Sequence, residues 1–177
     1  MYLLVLNILI FDIHYILSFI VYFIIYIFYY ILMSSYDECV VMMLDIGAQI
    51  QTLISKGYVL FDINDSDVIV TDTGNYTLRY YDKYDKYDKY DKYGSSSKKT
   101  YKITQPYKYK DNMAPELKNK VELPIVVNPN VAYYSLAKLC MYKLNIQNIK
   151  EIYPTKLFWL LQRCLDTNPD NRYFLYI

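Results

Sequence analysis

The sequence predicts a mainly α-helical protein with a small β-hairpin, preceded by a hydrophobic N-terminal helix. Three observations support this class. An uncharged apolar run lies near the N-terminus, several later segments carry apolar residues three or four positions apart, and one pair of short β-branched runs flanks a turn. The 177 residues are enough for one ordinary domain and too few for two. We therefore predict a hydrophobic segment at 1–33 and a single domain at 34–177.

The uncharged run extends from Tyr15 to Met33. As a helix it would be about 28 Å long, close to the thickness of the hydrocarbon core of a bilayer. No basic residue precedes it, and Ser34-Ser35-Tyr36 is a poor match to the cleavage site of a signal peptide. A transmembrane helix is the preferred interpretation. The alternative is a helix or strand pair buried against the domain, because tyrosines recur along one face of the run.

The domain is expected to begin with a helix and a hairpin. Ser35-x-x-Glu38 is a capping-box pattern, and Lys56-Gly57 is a typical helix end. Between them an apolar stripe recurs at helical spacing, comprising Cys39, Met43, Ile46, Ile50 and Leu53. A short buried strand, a turn and a second strand then follow at Val68–Val70, Asp72–Asn75 and Tyr76–Leu78.

Residues 80–112 are predicted to be a disordered insertion. They contain Tyr-Asp-Lys repeated in register from Tyr81 to Lys92, and a three-residue period fits neither a helix nor a strand. A tract for tyrosine phosphorylation or docking is the functional alternative. Beyond the insertion, apolar spacing predicts one helix from Asn130 to Leu144 and another that starts near Pro154 and stops at Asn168-Pro169.

Charge and cysteine content exclude two functional classes. The formal net charge is +1, which argues against the basic face that a nucleic-acid partner requires. Three widely spaced cysteines and one histidine make a Cys/His zinc site untenable. Such cysteines suit reduced thiols packed as small apolar residues, which fits a cytosolic or nuclear face for the main domain. Together with a transmembrane helix, this predicts a membrane protein whose main domain is cytosolic.

The order of the motifs is informative. A helix ending in Lys56-Gly57 is followed by an aspartate-bearing loop from Asp62 into a short strand, then by a turn and a second strand. Ala114-Pro115-Glu116 comes next, then a buried helix containing Tyr134-Ser135-Leu136-Ala137, and finally Asn168-Pro169-x-x-Arg172. Over residues 36–177 this order resembles the C-terminal lobe of protein kinases. The tyrosine-rich style is similar to that of divergent kinase-like proteins of large DNA viruses.

The resemblance implies one structural contact. In protein kinases the glutamate of the Ala-Pro-Glu motif pairs with a late arginine and ties the activation segment to the lobe. Here that implies an ion pair between Glu116 and Arg172, which are 56 residues apart. If the pair is buried, loss of one partner should cost about 3–5 kcal/mol.

The resemblance also implies that catalysis is lost. Asp62 matches the catalytic aspartate, but Asn64 stands in place of the phosphate-facing lysine, and Asp67 stands in place of the metal-binding asparagine. Asp82 is the nearest candidate for the second metal aspartate. The sequence contains no Gly-x-Gly-x-x-Gly, and residues 1–33 contain no lysine. No cofactor is therefore expected, and ATP with Mg²⁺ would bind only if activity survived.

The preferred functional hypothesis is an inactive kinase-like binding or scaffold protein tethered to a membrane, with an unidentified protein partner. Three alternatives remain open. They are a diverged phosphotransferase fragment that needs a missing N-lobe, a degraded gene remnant, and an unrelated membrane protein with accidental motifs.

Overall fold

The computed structural model describes residues 2–79, 88–89, 100–103, 106–118 and 122–177. The chain divides into two compact units, Met1–Glu38 and Cys39–Ile177. The described helices are α1 (Tyr2–Lys56), α2 (Val131–Lys143) and α3 (Lys156–Cys164). The described strands are β1 (Tyr58–Val59), β2 (Val68–Val70), β3 (Tyr76–Leu78), β4 (Asp88–Lys89), β5 (Tyr101–Ile103) and β6 (Ile125–Val127). They form antiparallel pairs β1–β4, β2–β3 and β5–β6, so the fold is rich in helix with small two-stranded sheets.

The first unit is helical, and the part of it whose side chains are described is strongly apolar. Ten large apolar side chains between Leu17 and Ile27 are each 42–73% exposed. Tyr22 and Tyr26 are among them. Helix α1 passes through Ser35 without a break, and the predicted helix start at that residue is therefore wrong. A capping serine needs a non-helical neighbour before it, whereas apolar helix-compatible residues precede this one.

The C-terminal part of α1 supplies the core of the second unit. The predicted stripe is confirmed, because Cys39, Met43, Ile46, Ile50 and Leu53 are all buried. Ser35–Lys56 is long and apolar enough to cross a membrane by length and composition alone, and it is 39% buried. The helix ends at Lys56, and Gly57 has a φ of 88°, a left-handed conformation that glycine adopts without strain.

The predicted hairpin forms by pairing of β2 and β3 around a turn in which Thr71 N–H donates to the Asn75 carbonyl at 2.8 Å. The expected burial of β2 is wrong, since Ile69 and Val70 are both exposed. Helix α1 instead contacts the other strand. The carboxylate of Asp45 accepts from Tyr76 N–H at 2.8 Å, and the side-chain oxygen of Gln49 accepts from Leu78 N–H at 2.9 Å.

The prediction of disorder over residues 80–112 is wrong at the C-terminal end of that range, where Tyr101–Ile103 form a strand. Strand β5 pairs with β6 in the register Lys102 to Val126, and Ile103 is buried. The Tyr107 hydroxyl then donates to the Leu117 carbonyl at 2.7 Å. Tertiary pairing with β6 supplies the apolar partner that the local sequence lacks. Apart from the β4 residues, the Tyr-Asp-Lys repeat lies outside the described residues.

Helices α2 and α3 complete the core. The predicted helix from Asn130 to Leu144 is present, and these two residues flank it as the caps of α2. Cys39, Cys140 and Cys164 are buried thiols that form no disulfide, as their spacing predicted. Burial raises the pKa of Cys164 to about 12, which keeps this thiol protonated and unreactive at neutral pH.

We expect Gly47→Ala to destabilise the second unit. A Cβ atom at this buried helical position would overlap the ring of Phe174, which stacks on Tyr133 with ring centroids 5.6 Å apart. Overpacking of this kind costs about 1–3 kcal/mol, more than the roughly 1 kcal/mol that alanine gains over glycine in a helix. Urea denaturation would measure the free energy of unfolding. The double variant Gly47→Ala/Phe174→Ala should lose less than the sum of the two single changes, and strict additivity would contradict this packing.

Candidate functional site

The loop between β1 and β2 carries the aspartates that the sequence singled out. It contains a short 3-10 turn at Asp65–Asp67. Helix α2 packs against this loop and fixes it by a hydrogen bond. The backbone N–H of Ile63 donates to the hydroxyl of Ser135 at 2.8 Å, and Ser135 is completely buried. A buried hydroxyl with a backbone partner is a stable anchor, because leaving either group unpaired would cost about 1–3 kcal/mol. The loop therefore has a defined position on α2.

Asp62 is surrounded by donors. Its Oδ1 accepts from the side-chain amides of Asn112 at 2.7 Å and of Asn64 at 3.0 Å. Its Oδ2 forms an ion pair with the ammonium group of Lys110. The carboxylate is thus held by a cation and two amides. An incoming hydroxyl would have to share or displace them to reach this group.

Asp67 lies in the same loop and has a capping role. Its Oδ2 accepts from the backbone N–H of Asn64 at 2.8 Å and from the side-chain amide of Asn64 at 3.3 Å. The Asn64 amide therefore lies between the carboxylates of Asp62 and Asp67. Within the described ranges, no group of three or more His, Cys, Asp or Glu side chains is arranged to hold a metal ion. Asp82 and the two tyrosines before it lie outside those ranges.

Asn112 was not predicted as a site residue, yet it connects the loop to α2. Its amide nitrogen lies 2.9 Å from the Ile63 carbonyl and 3.5 Å from the Ser135 hydroxyl, in addition to its bond to Asp62. Lys110 was also missed. Both residues were assigned to the disordered insertion. The available signal was their position directly before Met113-Ala114-Pro115, where a backbone turn from Met113 N–H to the Lys110 carbonyl fixes their spacing.

The structure brings Glu116 and Arg172 together in a two-pronged ion pair. Arg172 Nη1 donates to Glu116 Oε1 at 2.5 Å, and Nη2 donates to Oε2 at 2.8 Å. The Arg172 side chain is fully buried, and the Glu116 side chain is 18% exposed. Parallel N–H···O bonds of this kind fix orientation as well as distance. The short turn Pro115–Leu117 and the chain after α3 are joined by this contact.

Further groups satisfy the buried guanidinium. Its Nε donates to the Asp166 carbonyl at 2.6 Å, and its carbon lies 5.0 Å from the centroid of the Tyr134 ring. Burial raises the pKa of the Tyr134 hydroxyl, and the neighbouring Arg172 acts in the opposite direction. The cation is thus matched by a carboxylate, a backbone carbonyl and an aromatic face. Such matching is what a buried charge requires.

No protein-family model matches this sequence, and no curated protein matches it. The chemistry of the site follows from its own contacts. The Asp62 carboxylate is held by Lys110, Asn112 and Asn64. The Asp67 carboxylate in the same loop caps a turn. These contacts make the loop rigid. Glu116 follows Asn112 by four residues, and its ion pair with Arg172 joins this stretch to the chain after α3.

We expect Glu116→Gln and Arg172→Leu each to reduce the free energy of unfolding by about 3–5 kcal/mol, because either change leaves the remaining charge buried without its partner. The double variant should lose clearly less than the sum of the two. Urea denaturation of the four proteins, repeated at high salt, would measure this coupling.

Asp170→Asn is a suitable control for the same cycle. Its carboxylate accepts from the Asn128 side chain at 3.1 Å in an exposed contact, so replacement should change stability by no more than about 0.5 kcal/mol. A coupling between Glu116 and Arg172 as small as that would show that the pair is solvated in solution.

Proposed function

We propose that the chain is a kinase-like protein that does not transfer phosphate and acts as a binding or scaffold module, attached to a membrane by its N-terminal helix. The observation that carries the proposal is the state of Asp62. The carboxylate in the place of the catalytic base is occupied by Lys110, Asn112 and Asn64. A base that must accept a hydroxyl proton needs an accessible oxygen.

The neighbouring substitutions support the same conclusion. Phosphoryl transfer depends on positioned cations that neutralise the phosphate oxygens. Asn64 takes the place of the lysine that would face a phosphate, and its amide is bound to Asp62 and Asp67. Asp67 is used to cap a turn. The groups left in the loop hold each other instead of a nucleotide.

The kinase-like part of the proposal is supported by the order of motifs together with the geometry of the late arginine. Glu116 and Arg172 are distant in sequence, and a family resemblance was the sole reason to pair them. Their contact is buried and two-pronged. A degraded gene remnant is under no selection to keep such a pair, whereas a protein that must fold is, since each single loss is strongly destabilising. This favours a retained fold over a remnant.

A diverged phosphotransferase is the second candidate function. The observation in its favour is that Asp62 and Asp67 contact the same amide, so two carboxylates occur in one loop. Carboxylate oxygens are ligands that Mg²⁺ prefers. Activity would still require release of Lys110 from Asp62 and a nucleotide-binding lobe from elsewhere.

Membrane attachment is supported by the exposure of the apolar residues from Leu17 to Ile27. Exposed apolar surface of this extent is rare on soluble monomers and marks a membrane or protein contact. Among the described residues, Ser35–Lys56 is the helix that is long and apolar enough to span a membrane, and Leu17–Ile27 is a shorter apolar helix. The apolar stripe of Ser35–Lys56 is, however, already buried in the second unit. The earlier segment is therefore the better anchor, with the second unit in the cytosol.

Mg-ATP should not bind more tightly than about 1 mM, because the sequence contains no Gly-x-Gly-x-x-Gly loop and Asn64 stands where a lysine would face a phosphate. We expect the melting temperature to stay constant in a thermal-shift titration with Mg-ATP, and radiolabelled γ-phosphate to transfer to no substrate. Asp62→Asn should behave identically in both assays. A melting temperature that rises with the logarithm of nucleotide concentration would support the phosphotransferase instead.

Ile20→Lys/Ile24→Lys should release the chain from membranes. Both side chains are exposed, and a lysine at the centre of a membrane helix costs about 2.5–3.5 kcal/mol. The parent chain should remain in the pellet after carbonate extraction, whereas the double variant should become soluble. Ile69→Lys/Val70→Lys, on the exposed face of the hairpin, is the matched control and should remain in the pellet. Recovery of the parent chain in the soluble fraction would rule out an anchor.

A further inference from the structure

A cavity of about 550 Å³ opens beside the aspartate loop, in the second unit. It is lined by three segments, namely residues 63–66, residues 111–112, and the C-terminal half of α2 with the two residues at 146–147. This volume is in the range of ligand sites, which commonly measure 300–1,000 Å³. The contacts described for Asp62 and Asp67 do not account for it.

The cavity has an apolar floor and an open rim. Ile63, Leu139 and Met141 line it with side chains that are almost fully buried. Tyr142 is 73% exposed and stands at the rim. A buried floor with an exposed aromatic wall suits an apolar side chain that enters from solvent, since tyrosine contributes large contact area at low conformational cost.

Lys138 gives the cavity its charge preference. It is half-buried in the lining, and among the ion pairs of the described residues none involves its ammonium group. The carboxylate of Asp65 already pairs with Lys143. The hydrogen bond from Lys143 to Asp65 raises the pKa of Lys143. Asp111 also lines the cavity, but it is exposed and so is solvated.

We propose that this cavity binds a short extended segment of a protein partner, which presents an acidic residue to Lys138 and an apolar side chain to the floor. The inference rests on the proposed binding function and names the chemistry of the partner. An ammonium that makes no ion pair with the described residues gains most from an anion that is brought to it, and the apolar floor strengthens that attraction.

The polar groups of the rim favour a peptide over a compact small molecule. Gln147 lines the cavity, and its side-chain amide offers one acceptor and two donors. The main chain of an extended peptide presents donors and acceptors in alternation, so the amide of Gln147 can pair with it. An open cavity bounded by separate chain segments also leaves both ends of a peptide free to continue into solvent.

Three fluorescein-labelled heptapeptide pools would test the proposal by fluorescence polarisation with the full chain in detergent micelles. The pools carry Glu, Gln or Lys at the centre and Leu two residues later, with the other positions randomised. The Glu pool should bind at least about tenfold more tightly than the Lys pool, because Lys138 attracts one and repels the other. Lys138→Glu should reverse this order.

Two further variants keep the test specific. Lys150→Glu changes an exposed lysine outside the cavity and should leave the order of the pools unaltered. Tyr142→Ala removes an exposed rim residue, so it should fold normally while weakening the binding of all three pools. Equal binding of the pools, absence of binding, or an unchanged order in Lys138→Glu would overturn the proposal.

The outcome is separable from that of the proposed function. A chain that binds Mg-ATP and still prefers the Glu pool would remove the inactive assignment and keep the peptide site. If the chain binds neither Mg-ATP nor the peptides, the proposal of an inactive protein stands and the proposal of a peptide site is wrong.

Discussion

Arg172 places a permanent positive charge in the interior of the second unit, and much of the surrounding structure is arranged to accommodate it. Among the described residues it is the sole charged side chain that is buried. The guanidinium cannot lose its proton, so it must be met by a carboxylate and by carbonyl oxygens. Glu116 arrives from the turn after the long insertion, the Asp166 carbonyl from the end of α3, and the Tyr134 ring from α2. Asn130 adds a bond to the Arg172 carbonyl at 2.8 Å.

The effect of this pair extends to the aspartate loop through a short length of chain. Glu116 holds the 3-10 turn at Pro115–Leu117, and the Tyr107 hydroxyl is bonded to the carbonyl that ends that turn. Asn112 lies four residues before Glu116, so its backbone has little conformational freedom. Its amide reaches Asp62, Ile63 and Ser135 from one position. The buried ion pair and the contacts of the Asp62 carboxylate are thus made by residues of one short stretch of chain.

The sequence predicts the elements whose signals are local. The apolar stripe of α1 and its stop at Gly57 follow from helical spacing and from the freedom of glycine at positive φ, and the hairpin follows from its turn residues. The pairing of β5 with β6 could not be predicted in this way. Its residues are separated by more than twenty positions, and β5 directly follows a repetitive polar tract, so local composition indicated disorder. The helix start at Ser35 failed because a capping motif has meaning only where the preceding chain is not helical.

The candidate site divides in the same manner. Asp62, Asp67, Glu116 and Arg172 could be selected because each belongs to a motif with a known order. Lys110 and Asn112 belong to no motif, and their role depends on a fold that brings residues 48 to 50 positions apart into contact. A lysine in a lysine-rich tract gives no signal of its own. The engagement of Asp62 was accordingly visible in the structure alone.

Helix α1 also governs how the hairpin can associate with other chains. The outward-facing backbone groups of β3 would ordinarily form an open template for another strand. Two side chains of α1 hydrogen-bond these backbone groups. Asp45 accepts from Tyr76 N–H, and Gln49 accepts from Leu78 N–H and donates to the Tyr76 carbonyl at 2.9 Å. Two side chains thus imitate a neighbouring strand. This blocked edge removes one route by which copies of the chain could pair strand to strand and aggregate.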